Sequence, residues 1–165
     1  MVRSGDSPEP PPAKASHTGV DRQVFTGEYR HTVDDKGRIA VPVKFRAQLA
    51  PGSMVSGWFE ECLAIHTKEG WDDLAAKVGS LRFTDPKARD FQRWVFSTAS
   101  EAQMDKQGRI LLPAYLRDSI GLVGEAVLVG TQDHAEIWAP DRWDTYRRKL
   151  DDPLELARAF EGLGI

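Results

Sequence analysis

Asp34-Asp35-Lys36-Gly37-Arg38-Ile39-Ala40-Val41-Pro42 returns 71 residues later as Asp105-Lys106-Gln107-Gly108-Arg109-Ile110-Leu111-Leu112-Pro113. The agreement continues outward: Phe45-Arg46 matches Leu116-Arg117, Leu49 matches Ile120, and after one inserted residue Ile65 and Trp71 match Ile137 and Trp143. A chain that repeats itself at a fixed offset contains two copies of one supersecondary unit. A unit this short buries too little apolar surface to stand alone, so the two copies are expected to share one core and functional residues to come in pairs.

The 165 residues, 41% of them hydrophobic, suit one ordinary domain or two fused small ones. The apolar runs fall far short of the roughly 20 residues that cross a bilayer, and the chain does not open on a signal-peptide pattern. The expectation is a cytoplasmic protein without a membrane partner. Its single cysteine, Cys62, forms neither an internal disulfide nor a cysteine-based zinc site, and reads as a small buried residue. The net charge of −3 counts against nucleic acid, whose phosphates are met by clustered lysine and arginine. Locally the balance reverses. Between Glu28 and Arg46 the bases Arg30, Lys36, Arg38, Lys44 and Arg46 outnumber the acids Glu28, Asp34 and Asp35; between Glu101 and Arg117, Lys106, Arg109 and Arg117 outnumber Glu101 and Asp105.

Residues 1–23 are proline-rich and polar and read as a disordered extension. Order is expected from Phe25. Alternation at Tyr29, His31 and Val33 predicts a strand, Asp34 to Gly37 a turn with Gly37 at positive φ, Arg38–Val41 a returning strand, and Pro42 the start of a helix carrying Phe45 and Leu49. A hairpin from Val55 to His66 and a helix from Trp71 to Leu81, with Leu74 and Val78 inward, complete the first unit (24–95, including a linking helix at Ala88–Phe96 whose start is Asp85-Pro86). The second unit, 96–150, replays this order. Ser97–Met104 is its first strand, Gly108 its turn, Pro113 a helix start, Val127–Val129 and Glu136–Trp138 a hairpin, and Trp143–Leu150 the closing helix. The remainder, 151–165, is an acidic tail with a short helical segment after Pro153.

Asp-x-x-Gly is an ordinary turn, in which the carboxylate accepts backbone N–H groups and glycine takes positive φ, so Gly37 and Gly108 are turn-structural. No turn requires the arginine that follows. Its repetition as Arg38 and Arg109 leaves two readings: a fixed ion pair with Asp34 and Asp105, or a solvent-facing guanidinium that forks onto a phosphate or a guanine edge. Catalytic candidates are weaker. Cys62 with His66, Asp133 with His134, and Glu60-Glu61 each occur in one repeat only, and glycine-rich phosphate loops, His-Glu-x-x-His and Gly-x-Ser-x-Gly are absent from the sequence. The expectation is no enzyme, no cofactor, no metal and no small-molecule substrate. Of the tryptophans, Trp71 and Trp143 occupy matching positions and read as packing residues rather than base-stacking platforms.

From Phe25 to Tyr146 the chain resembles the MraZ proteins of bacteria, in the AbrB-like swapped-hairpin group. The resemblance lies in Phe25-Thr26-Gly27, both Asp-x-x-x-Arg motifs, Ala99 to Asp105, Leu128-Val129-Gly130 and Glu136-Ile137-Trp138. It implies an α+β fold of tandem pseudo-twofold AbrB-like β-barrel units with flanking helices, assembled as a homo-oligomeric ring. It implies a nucleoid-associated transcriptional regulator that binds double-stranded DNA at short direct repeats upstream of its own gene in the division and cell wall cluster. The family's DNA-contacting motif falls on Asp34, Arg38, Asp105 and Arg109, the arginines as contacts and the aspartates aiming them. Lys36 and Arg30 add backbone contacts, and the neutral Gln107 opposite Lys36 makes the second site the weaker. The alternative is a ring of the same fold that binds a protein partner or serves as structure, without DNA.

Overall fold

The computed structural model describes residues 24–165, so the expected disorder of residues 1–23 lies outside the described residues. The first repeat runs β1 (Glu28–Thr32), β2 (Arg38–Ala40), α1 (Val43–Arg46), β3 (Met54–Gly57), β4 (Leu63–His66) and α2 (Lys68–Gly79), with a single 3-10 turn at Phe59–Glu61. After α3 (Pro86–Thr98) the second repeats the order: β5 (Ser100–Glu101), β6 (Arg109–Leu111), α4 (Ala114–Ser119), β7 (Glu125–Gly130), β8 (His134–Trp138) and α5 (Pro140–Asp151), followed by α6 (Pro153–Phe160).

The element sequence agrees with the sequence reading; the strand partners differ from it. β1 and β2 do not form a local hairpin. They touch at one bridge, Val33 with Ile39, and then separate. β1 pairs with β7 of the other repeat, and reciprocally β5 pairs with β3 of the first. The six-stranded antiparallel sheet therefore has the order β1-β7-β8-β4-β3-β5, with β4–β8 as its central pair, while β2 and β6 pair in a sheet of their own. Each central pair joins equivalent strands of the two repeats: Ile39 lies opposite Ile110, and Leu63 opposite Ile137. The core follows the same symmetry, since Ile39 and Ile110, Val41 and Leu112, Phe45 and Leu116, and Leu49 and Ile120 are all buried in one cluster. At about 1.5–3 kcal/mol per fully buried aliphatic or phenyl side chain, this shared cluster is the main stabilising feature, and neither repeat owns it.

Helix boundaries move for local reasons. α2 begins three residues before Trp71 because the Thr67 hydroxyl accepts the Gly70 N–H and caps it. Within it Val78 is buried and Leu74 half-buried. α3 starts where expected, at Pro86 behind the Asp85 cap, but continues to Thr98. Its Val95 is buried and its Thr98 hydroxyl accepts the Gly57 N–H of β3, so tertiary contact extends the helix into the stretch read as a strand and reduces β5 to two residues. The division between residues 95 and 96 thus falls inside a helix.

Candidate nucleic-acid interface

Each repeated turn is built by its aspartate. Asp34 Oδ1 accepts the backbone N–H groups of Lys36 and Arg38, both at 2.9 Å, and its Oδ2 accepts Arg38 Nε–H at 2.7 Å. Asp105 does the same for Gln107 and Arg109, both at 2.9 Å, with Arg109 Nε also at 2.9 Å. Gly37 and Gly108 close the turns at φ 83° and 74°, a region that glycine occupies without steric cost. These hydrogen bonds hold both carboxyls below the ordinary range. The first cause is the arginine's backbone N–H, which outweighs desolvation, and the guanidinium itself follows.

Of each guanidinium, the motif's own aspartate hydrogen-bonds only Nε. Arg38 and Arg109 are aimed by this bond, while their terminal nitrogens make no hydrogen bond among the described residues. Their side chains remain 31% and 29% exposed, so these forks reach solvent. The two motifs meet: Arg109 Nη1 lies 3.9 Å from Asp34 Oδ2. They are locked together by exchanged backbone bonds, Val41 N–H to Gly108 O at 2.8 Å and Leu112 N–H to Gly37 O at 3.0 Å.

Two further arginines enter this site. Arg46 Nε–H donates to Val41 O at 2.9 Å, and its guanidinium lies against Gly108 of the other repeat; Arg117 Nε–H donates to Leu112 O at 3.0 Å and lies against Gly37. Both were visible in the sequence as a matched pair, but their position over the opposite turn is a product of the exchange.

Lys36 is exposed in the first turn, two residues before Arg38. Arg30, on β1, has acidic partners of its own. It donates to Asp144 Oδ1 of α5 at 2.5 Å and lies within 4 Å of Glu125 and Glu28, so three carboxylates neutralise it. Of the catalytic candidates, Asp133 and His134 are brought together, with Asp133 Oδ1 2.7 Å from His134 Nδ1. Cys62 Sγ donates to Phe59 O and packs with Val127, Trp138 and Trp143, and burial raises its thiol pKa. His66 instead stacks on His134 beside Trp58 and Trp71. Glu61 pairs with Arg142. Trp143 is buried against Trp138 and Tyr146, and Trp71 is half-buried against Phe96, so both pack.

Fold and site together define a class: a tandem-repeat protein whose interlocked halves present paired Asp-x-x-x-Arg turns on one surface. A family model described as "MraZ protein, putative antitoxin-like" matches twice, at residues 24–94 and 95–160. The chain is 42% identical over 132 residues to the transcriptional regulator MraZ of Moorella thermoacetica, covering 80% of this chain and 92% of that protein. It is 43% identical over 143 residues to that of Desulfitobacterium hafniense and 41% over 143 to that of Herpetosiphon aurantiacus, each covering 86% of this chain and all of the relative. The chain belongs to the MraZ family.

Proposed function

We propose that this protein is a sequence-specific, double-stranded-DNA-binding transcriptional regulator. It acts in the cytoplasm at the nucleoid and binds short direct repeats upstream of its own gene in the division and cell wall cluster. The observation that carries this reading is the tethering at the turns: in both repeats the motif's carboxylate takes the guanidinium's Nε–H and leaves the terminal nitrogens of Arg38 and Arg109 without a hydrogen-bond partner among the described residues. A guanidinium fork so held meets a phosphate or the O6/N7 edge of guanine without paying for its own ordering, a guanine contact being worth about 1–3 kcal/mol of discrimination. Asp34 and Asp105 aim the arginines, since a carboxylate facing phosphate would be repelled. Lys36 adds a backbone contact, and Arg30 is left out of the contact set.

The exchange of β1 and β5 between repeats and the pairing of β2 with β6 support an AbrB-like swapped-hairpin barrel. A ring is supported by the exposed aromatic side chains Phe59, Phe83, Trp94 and Phe96, a surface suited to a second copy. Avidity across a ring lets a protein of net charge −3 hold DNA through several modest sites. The competing reading, a ring without nucleic acid, is favoured by the ion pairs themselves, because Asp34 stands between both arginines.

Fluorescence anisotropy with DNA from upstream of the gene, titrated across salt, separates the two. Wild type is expected to bind with sequence preference, weakening as salt rises, and Arg38→Ala with Arg109→Ala to lose that binding. Repeats about one helical turn apart, roughly 10 bp, present one DNA face to neighbouring subunits, so a half-turn shift should weaken binding strongly. Negligible binding by both proteins would reject the DNA reading.

A further inference from the structure

We infer that Arg46 and Arg117 are phosphate-contacting residues, each contributed by one repeat to the other repeat's turn, so that both DNA-contact points are composite. The inference rests on the DNA-binding reading above and extends it to two residues outside the Asp-x-x-x-Arg motif. Three observations point to it. Each arginine is tethered through Nε–H to a backbone carbonyl, Val41 O or Leu112 O, which fixes the guanidinium plane and leaves the terminal nitrogens for another partner. Each guanidinium lies directly against the glycine of the opposite turn, so closely that a Cβ on Gly37 would stand 2.5 Å from Arg117 Nε and one on Gly108 would collide with Arg46 Nε and Cζ. Finally, among the described residues no carboxylate comes within 4 Å of either guanidinium, in contrast to Arg30, Arg38 and Arg109.

Counted by place rather than by repeat, the Gly108 end gathers Arg46, Lys106 and Arg109 against Asp105, and the Gly37 end gathers Arg117, Lys36 and Arg38 against Asp34 and Asp35. The exchange replaces one arginine by another at each turn and so leaves both charge balances unchanged, with Lys106 offsetting the neutral Gln107 at the second. Half-buried guanidiniums, fixed without a carboxylate beside two other cations, form an anion site, and a polyanionic backbone running over both turns supplies the missing charge.

The test compares the intact wild-type protein with Arg46→Gln plus Arg117→Gln on the same upstream DNA. Each lost phosphate contact lowers the slope of log affinity against log salt by about 0.9, so the double variant should lose about two from the slope for every subunit engaged. Arg46→Lys plus Arg117→Lys, which keeps the charge, should retain the wild-type slope. An unchanged slope in the glutamine variant overturns the inference, even where affinity falls. A readout independent of variant folding is phenylglyoxal modification of wild type with and without DNA. Protection of Arg46 and Arg117 by DNA is expected, and equal reactivity overturns the inference. Wild type that binds and depends on Arg38 and Arg109, beside an unchanged Arg46/Arg117 variant, sinks this proposal alone; wild type that fails to bind sinks the functional reading with it.

Discussion

Gly37 and Gly108 carry two demands that a side chain cannot meet together: a positive φ, and an arginine from the other repeat lying where Cβ would be. Gly124 separates these demands, because it has the same φ as Gly108, 74°, but open space where a Cβ would go. Gly124→Ala should cost about 1 kcal/mol, the backbone penalty alone. Gly108→Ala should cost clearly more in urea unfolding, since Arg46 must also leave its carbonyl; equal losses would show that the contact carries no energy. The turn was legible in sequence because Asp-x-x-Gly is local chemistry. The arginine above it was not, because comparing repeats reveals matched positions and not which copy touches which. Arg30 shows the same limit. It counts toward a basic cluster along the chain, whereas β1 carries it to Asp144 on α5, which lies 114 residues away.

Strands were readable from their alternation, but alternation specifies a buried face rather than a neighbour, so the hairpin expected between β1 and β2 is replaced by pairing across repeats. The central β4–β8 seam shows what such pairing creates. It sets His66 directly opposite His134, stacked with centroids 5.2 Å apart and edged by Trp58. Burial, then the neighbouring His134, lowers His66 to a pKa of about 4. Burial also acts to lower His134, but Glu136 and Asp133 outweigh it and raise the net value. The two histidines therefore oppose one another. His66 binds its proton more readily in the unfolded chain, so it favours the fold above pH 6.5 and withdraws that support as pH falls toward 4. His134 favours the fold at low pH and loses its contribution as pH rises through its folded pKa. The larger shift belongs to His66, on the order of 3 kcal/mol. Wild type should lose stability between pH 6.5 and 4 in denaturant titrations, and His66→Phe should flatten that slope; an unaltered slope would remove His66 as its source.

At the scale of the whole molecule the two halves cannot be separated without opening both sheets, since each of β1–β7, β3–β5, β4–β8 and β2–β6 joins one repeat to the other. Unfolding should be a single transition, with far-UV circular dichroism and tryptophan fluorescence coincident. Residues 24–98 and 99–165 produced as separate chains should each be unfolded alone and should regain the native spectrum when mixed. A folded isolated half would contradict the shared core. The repeat itself announced this sharing in sequence, since neither copy holds enough apolar surface for a core of its own.

Strand exchange also sets a clock on synthesis. β1 is among the first elements to leave the ribosome, yet its partner β7 is translated about a hundred residues later, which at 5–20 residues per second is a wait of about 5–20 s. Through that interval the nascent chain carries unpaired strand edges and half of a core, a client for holding factors rather than a working module. A ribosome that stalls or stops between the repeats releases a fragment with one Asp-x-x-x-Arg turn and no fold to display it. Incomplete translation thus yields no half-protein that displays a single turn, and the paired turns arrive only with the finished chain.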